Sequence, residues 1–302
     1  MPGQIEISGL TKQYKSLRAV DDLSFTVQPG RVTGFLGPNG AGKTTTLRML
    51  LNLVTPTSGT ATIGGRRYAD LENPSGSVGA VLEASSAHKA RNGRNHLRII
   101  CAAAGLPDSR ADEVLALTGL TPAAKRKFKG YSLGMRQRLG IAAAMIGDPQ
   151  VLILDEPANG LDPEGIKWMR EFLKSLADRG RTILVSSHLL SEMELLADDI
   201  VIIAAGKLIR QGTVDEIVKS SYTGVVVRVR TPSQAELTTA ITAAGGTATP
   251  SPDGALIVSG MEAPAVGAAA FAAQVELHEL TTERPDLEGV FLELTHGKAA
   301  IR

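Results

Sequence analysis

A glycine-rich segment near residue 40 carries the residue types that bind phosphate. It fits the pattern of glycine, four residues, then glycine-lysine-threonine, and it reads Gly37-Pro38-Asn39-Gly40-Ala41-Gly42-Lys43-Thr44. Glycines let a backbone wrap closely around phosphate groups, the Lys43 ammonium would reach the β- and γ-phosphates, and the Thr44 hydroxyl would ligate Mg²⁺. The segment, with Thr45 after it, therefore predicts a site for a nucleoside triphosphate.

Two adjacent acids, Asp155 and Glu156, follow the apolar run at residues 151–154. The run predicts a buried parallel strand, and ligands in open α/β sheets bind at the carboxyl ends of such strands. We therefore expect Asp155 to meet the Mg²⁺ held by Thr44, and Glu156 to polarise an attacking water as general base. A helix cap is the alternative for this acid pair taken alone, and the phosphate loop favours catalysis.

The elements around the phosphate loop predict how it is held. An apolar run at residues 32–36 precedes it, and a helix-like segment at residues 45–53 follows it. The loop should therefore join a buried strand to a helix N-terminus, where free backbone N–H groups and a partial positive charge favour anions.

A third segment lies shortly before the acid pair and enters an alanine- and isoleucine-rich helix predicted over residues 139–146. It reads Tyr131-Ser132-Leu133-Gly134-Met135-Arg136-Gln137-Arg138 and resembles the signature motif of ATP-binding cassette (ABC) ATPases. Another motif in the family's order resembles its D-loop, Asn159-Gly160-Leu161-Asp162. The resemblance covers residues 4–215.

The resemblance implies further roles. Tyr14 stands where the family stacks an aromatic ring on adenine, and His188 resembles the switch histidine that contacts the γ-phosphate. In the family, two ATPases meet head to tail. Ser132 and Gly134 of one chain would then cover the ATP that Lys43 binds in a second copy, or in a homologous ATPase.

This chain departs from the family pattern at three positions. Leu133 replaces a glycine of the usual signature and Met135 replaces a glutamine, while Glu83 stands at the Q-loop glutamine. A carboxylate at Glu83 can still ligate Mg²⁺. The tyrosine-led signature and Glu83 resemble the ATPases of bacterial antibiotic exporters, such as the bacitracin and daunorubicin systems.

Composition bounds the class of protein. The chain has 302 residues, a formal net charge of +1 and no long basic block, so we expect no nucleic-acid partner. The single cysteine, Cys101, cannot form an internal disulfide, which fits a reduced cytosol. No signal peptide is visible and no apolar run approaches ~18 residues. A separate integral-membrane permease would therefore supply the pore, with this chain peripheral on the inner face of the cell membrane.

The predicted fold class is α/β. Residues 1–220 form a P-loop ABC ATPase domain with an inserted helical subdomain at about residues 90–146. Residues 221–302 form a small α+β domain whose order, β-α-β-β-α-β up to residue 280, is ferredoxin-like, followed by a helix at residues 286–295. Regulation or dimer support and passive packing both remain open for this domain.

The main rival is a non-transport ABC ATPase, either regulatory or translation-associated. Translation-factor members carry two cassettes and a charged linker, and this chain has one cassette. Intact Glu156 and His188 argue against a purely regulatory module. Nothing in the sequence encodes the transported substrate, because ATPases of this kind do not contact cargo.

Overall fold

The structure is a computed structural model that describes residues 3–82, 87–221, 226–251, 253–283 and 287–295. Glu83 of the predicted Q-loop lies outside the described residues. The chain divides into two units. The first contains the described residues up to Val214 and those from Glu293, and the second is Asp215–Leu292. The division falls after Val214, whereas the sequence analysis placed it after residue 220.

The strands of the first unit are β1 (Ile5–Tyr14), β2 (Leu17–Val27), β3 (Val32–Leu36), β4 (Ser58–Ile63), β5 (Val78–Val81), β6 (Val151–Asp155), β7 (Thr182–Ser187), β8 (Asp199–Ala204) and β9 (Lys207–Thr213). Its helices are α1 (Lys43–Leu50), α2 (Pro74–Ser77), α3 (Gly93–Ala103), α4 (Ser109–Leu117), α5 (Leu133–Ala144), α6 (Pro163–Ala177) and α7 (Leu190–Leu196). Short 3₁₀ turns cover Tyr68–Asp70, Thr121–Ala123 and Phe128–Gly130.

A six-stranded sheet positions the predicted nucleotide site. Its order is β5-β6-β7-β3-β8-β9, parallel except for the antiparallel pair β8–β9. Strands β3, β6 and β7 are apolar and almost wholly buried, as expected for parallel strands covered on both faces. Since β7 separates β3 from β6, the polar residues that end these three strands meet at one edge of the sheet.

A second sheet of the first unit is antiparallel, with order β2-β1-β4. Ile5, Ile7 and Leu23 from this sheet share a buried core with Phe35 of β3 and Leu47 of α1. Burying side chains of this size stabilises the folded state by about 1.5–3 kcal/mol each, which fixes α1 against β3.

The predicted helical subdomain is present as α3, α4 and α5. Leu97 and Cys101 of α3, Val114 of α4 and Leu139 of α5 are fully or almost fully buried. Burial raises the pKa of the Cys101 thiol. On the outside, Arg94 donates to Asp112 at 2.6 Å. These contacts join the three helices into one layer.

The second unit contains α8 (Val214–Ser221) except its first residue, β10 (Val226–Arg230), α9 (Gln234–Ala243), β11 (Thr247–Pro250), β12 (Leu256–Ser259), α10 (Ala263–Ala272), β13 (Glu279–Glu283) and most of α11 (Leu287–Thr295). Its antiparallel sheet has the order β11-β12-β10-β13. The core comes from one face of β10 and β12 and from α9 and α10. The predicted β-α-β-β-α-β order is confirmed.

The last strand of that pattern starts later than the sequence indicates. Residues 275–280 are predicted as strand, but the first ladder pair of β13 is Glu279 with Arg230. Val275 and Leu277 pack against the core from the loop that follows α10. Two partly buried apolar residues two positions apart in a loop therefore give the same sequence pattern as alternating residues of a strand.

No helix among the described residues is long and apolar enough to cross a membrane.

Candidate nucleotide site

The phosphate loop joins β3 to α1, as the sequence predicts. Gly42 has φ +103° and sits immediately before α1, and a Cβ there would lie 2.5 Å from the carbonyl oxygen of Ala19. Only glycine fits such a position, because other residues are strained at this φ and would also collide with β2. The helix consequently begins at Lys43, and Thr45 lies in its first turn.

Lys43 is almost completely buried inside its own loop, with 6% of its surface exposed. Its Nζ donates to the carbonyl oxygen of Gly37 at 2.6 Å and of Pro38 at 3.4 Å. The same nitrogen lies 3.4 Å from Glu156 Oε1. The ammonium is therefore held between the loop and the acid pair, where the end of a triphosphate would lie.

Thr44 and Asp155 are brought together although they are 111 positions apart in sequence. Thr44 Oγ1 donates to Asp155 Oδ2 at 2.7 Å, and the Ser186 hydroxyl donates to the other carboxylate oxygen. The side-chain atoms that could ligate a metal ion here are all oxygens. In phosphate sites, Mg²⁺ is bound by one or two carboxylates together with phosphate oxygens and water. The residues present fit a Mg²⁺–nucleotide complex.

Glu156 adopts a backbone conformation that is uncommon outside glycine, with φ +49°. Its N–H is held at the end of β7 by the carbonyl oxygen of Ser186 at 3.2 Å and the hydroxyl of Ser186 at 3.0 Å. Its Oε2 lies 2.7 Å from His188 Nδ1. The left-handed backbone at Glu156 therefore points the two carboxylates to different partners. Asp155 contacts Thr44, and Glu156 lies between Lys43 and His188.

Ser186 is the residue that sequence reasoning missed. It bonds the Asp155 carboxylate and the Glu156 backbone together, so it fixes both acids at once. The sequence feature that could have identified Ser186 is its position as a polar residue near the end of an apolar strand. That strand lies beside β6 in the sheet, and the sequence does not give the order of the strands.

The signature segment differs from its prediction. Helix α5 starts at Leu133 rather than near residue 139, because the Ser132 hydroxyl accepts the N–H of Met135 at 3.2 Å and acts as the N-cap. Gly134 therefore lies in the first helical turn, among N–H groups without intrahelical acceptors.

Leu133, which departs from the family pattern, packs on the D-loop. A Cβ on Gly160, whose φ is +71°, would overlap Leu133 Cδ2. Ser132, Leu133 and Gly134 line a cavity of about 480 Å³ together with Gly160 and Asp162. In the described part of the chain this cavity is also lined by residues of the 119–123 segment and by the start of α6, and by none from the phosphate loop.

Tyr14 lies at the end of the β1–β2 hairpin, paired with Leu17 and 44% exposed. The Lys12 ammonium lies 5.0 Å from the centre of its ring. The structure therefore brings Lys43, Thr44, Asp155, Glu156 and His188 together, and places Ser132 and Gly134 on a different surface. Their individual roles, and that of Tyr14, stay predictions.

Comparisons with known proteins identify the family to which this chain is similar. A family model described as ABC transporter matches residues 20–159, and one described as a domain of unknown function (DUF8746) matches residues 225–288. The bacitracin transport ATP-binding protein BcrA of Bacillus licheniformis is 45% identical over 71% of this chain and 71% of its own length. The daunorubicin/doxorubicin resistance ATP-binding protein DrrA of Streptomyces peucetius is 36% identical over 96% and 92%.

Solved structures show the same fold. The ATP-binding subunit of an ABC transporter superposes with a TM-score of 0.64 and 29% identity, covering 72% of this chain and 92% of that chain.

A further relative by sequence, an uncharacterised ABC transporter ATP-binding protein of Bacillus subtilis, YhcH, is 45% identical over 76% of this chain and 77% of its own length. This chain binds ATP and belongs to the ABC transporter ATP-binding proteins, as an ATP-hydrolysing subunit of a transporter.

Proposed function

We propose that this chain powers the export of drug- or antibiotic-like compounds through a separate integral-membrane permease. Support comes from its similarity to the bacitracin and daunorubicin/doxorubicin proteins, the latter over 96% of this chain. It would act at the inner face of the cell membrane, held there by the permease.

The contact between Thr44 Oγ1 and Asp155 Oδ2 carries the proposal for the chemistry, because it joins the phosphate loop to the acid pair. Lys43 exchanges its carbonyl contacts for the β- and γ-phosphates, and the N–H groups at the start of α1 bind the same oxygens. Thr44 and Asp155 would hold Mg²⁺, and the ion would supply positive charge to offset the charge that develops on the phosphates.

Glu156 lies beside the place of the γ-phosphate and orients the attacking water as general base. His188, at 2.7 Å from its carboxylate, keeps that carboxylate in position and reaches toward the same phosphate. Tyr14 provides a partly exposed ring for the adenine base. Glu83 would add an oxygen ligand at the Q-loop position.

The position of the signature segment supports a head-to-tail dimer. Ser132 and Gly134 line a cavity without phosphate-loop residues, so a second copy, or a homologous ATPase, would bring them onto the γ-phosphate. ATP would then close the dimer, and hydrolysis followed by phosphate release would reopen it and move the permease.

A second cavity, of about 630 Å³, is the proposed docking site for the permease. It is lined by the helical subdomain and the ATPase core, including His96, Phe128 and Arg136. Among the described residues, His96 Nδ1 and Arg136 Nε are buried without a hydrogen-bond partner. Burial, with a smaller effect of Arg91, lowers the pKa of His96, so the imidazole is neutral at pH 7. A permease segment that offers an acceptor to Arg136 Nε and a hydrogen-bond partner to His96 Nδ1 would satisfy both.

The test uses two inactive variants, Ser132→Arg and Lys43→Ala, with Ser75→Arg as the control at an exposed serine outside both cavities. Ser132→Arg should bind ATP and lose turnover, because the added side chain blocks the γ-phosphate face of the opposite copy. Mixing the two variants makes dimers that hold one intact pair of Lys43 and Ser132. Partial recovery indicates independent sites, and persistent inactivity indicates that the two sites act together.

A Ser132→Arg protein that hydrolyses ATP at the normal rate would contradict the dimer, provided turnover stays linear with protein concentration down to monomeric dilution. The export proposal is tested separately. Co-expression with a permease should reduce drug accumulation in cells, and Glu156→Gln should abolish that reduction.

A further inference from the structure

Six cationic side chains lie on two neighbouring segments of the helical subdomain. We call them the basic patch: Lys89, Arg91, Lys125, Arg126, Lys127 and Lys129. All are exposed except Arg91, which is partly exposed. The sequence shows no long basic block because the patch combines two short segments that only the fold brings together.

Backbone hydrogen bonds hold the two segments side by side. The N–H of Phe128 donates to the Arg91 carbonyl at 2.9 Å, and the N–H of Lys129 donates to the Lys89 carbonyl at 3.0 Å. Asn92 and Lys127 form an isolated antiparallel bridge. The cations are therefore fixed near one another at the cost of mutual repulsion.

No acid in the described part of the chain pairs with these side chains, whereas two arginines of α3 are paired with acids. On α3, Arg94 bonds Asp112 and Arg98 bonds Asp108, both at 2.6 Å. The sequence contains no Asp or Glu in residues 84–107 or in residues 114–147. The positive charge of the patch is consequently not balanced by an acid among its described neighbours.

The patch borders the cavity assigned above to the permease. Ala87 and Phe128 line that cavity. Ala87 lies two residues before Lys89, and Phe128 lies between Lys127 and Lys129. A chain seated on a permease through this cavity would therefore bring the patch toward the membrane surface around it.

We propose that the basic patch binds the anionic lipid headgroups of the membrane that contains the permease, an inference that rests on the proposed function. Four of its six cations are lysines, which are flexible point charges suited to a fluid array of phosphates. A specific acidic protein partner would instead favour buried, bidentate arginines, and none of these six side chains is buried. Clusters of four to eight Lys or Arg are typical of binding to anionic lipids.

The experiment measures co-sedimentation of the full chain with vesicles of phosphatidylcholine, alone or mixed with phosphatidylglycerol. The test variant is Lys125→Gln/Arg126→Gln/Lys127→Gln. The matched control, Lys167→Gln/Lys174→Gln/Arg179→Gln, removes the same charge from exposed positions on or just after α6. Each cation near an anionic surface changes affinity about 5-fold, so the test variant should bind phosphatidylglycerol vesicles on the order of 100-fold more weakly than wild type.

Wild type and the control should bind the mixed vesicles, bind phosphatidylcholine weakly, and lose binding as salt increases. Equal binding to both vesicles, or equal losses in the test and control variants, would overturn the proposal. So would patch-dependent binding to duplex DNA that is tighter than binding to the mixed vesicles, since that would identify a nucleic-acid surface.

ATP hydrolysis in solution separates this inference from the proposed function. The patch residues contact none of the nucleotide-site side chains described above, so the test variant should hydrolyse ATP at the wild-type rate without vesicles. Normal hydrolysis without lipid binding would remove the patch proposal and leave the ATPase intact. Lipid binding without hydrolysis in wild type would instead contradict the proposed function.

Discussion

The nucleotide site and the signature surface hold their polar groups in opposite ways. In the nucleotide site, Lys43, Asp155 and Glu156 each contact residues from other parts of the chain, and Lys43 is almost completely buried. On the signature surface, Ser132 is exposed, and within the described residues its hydroxyl is bonded only by the N–H of Met135 in its own helix.

This difference indicates that the two regions have different roles in ATP hydrolysis. The first region already has its charges in place, so little reorganisation is needed when a triphosphate binds. The second has a capped helix start and a cavity, and it would contribute to a site when another surface covers it. Substitutions in the first region should therefore act within one chain, and those in the second should act between chains.

The largest effect is expected for Glu156→Gln, which preserves shape and removes the base. We expect kcat to fall by about 10²- to 10⁴-fold with ATP affinity retained. Because ATP then persists, a closed dimer should accumulate and be visible by light scattering with ATP and Mg²⁺. Normal hydrolysis by this variant would remove Glu156 from the role of general base.

Lys43→Ala should reduce kcat by about 10²- to 10³-fold, comparable with the loss of one charge-stabilising donor, and it should also weaken nucleotide binding. The loop would lose its buried ammonium. Phosphate release and nucleotide affinity are the measurements. Undiminished turnover would mean that the loop is not the active site.

Ser186→Ala should have an intermediate effect, roughly a 30-fold loss of kcat at most, because two hydrogen bonds worth about 1 kcal/mol each position the acid pair. The Mg²⁺ concentration for half-maximal activity should rise as well. Thr182→Val is the matched control, since this hydroxyl lies on the same strand and has no partner among the described residues. An unchanged Mg²⁺ dependence would limit Ser186 to a structural role.

The smallest effect concerns the contact of Leu133 with Gly160. Gly160→Ala should lower kcat/KM several-fold, and Leu133→Ala should restore part of the loss. A coupling of about 1 kcal/mol in the double-mutant cycle is expected for residues in contact. Gly180→Ala is the control that measures the conformational strain of an alanine at positive φ without a side-chain clash, because Gly180 has φ +83° with open space around it. Strict additivity would show that backbone strain alone explains the loss at Gly160.

Short motifs in the sequence determined much of the candidate site. The phosphate loop, Asp155 and Glu156 are recognisable because each motif depends on residue types at close spacing, flanked by apolar runs that form buried strands. The alternation and helix composition after residue 225 likewise predicted the β-α-β-β-α-β order of the second unit, which the structure confirms.

Tertiary structure decided what lies between the motifs. Ser186 bonds both acids because β7 lies beside β6, and the left-handed backbone of Glu156 turns its side chain away from that of Asp155. The start of α5 at Leu133, and the basic patch formed from two segments, also depend on contacts between distant residues. A sequence pattern records which chemical groups are present and their local spacing, but strand order and segment packing set the distances between them.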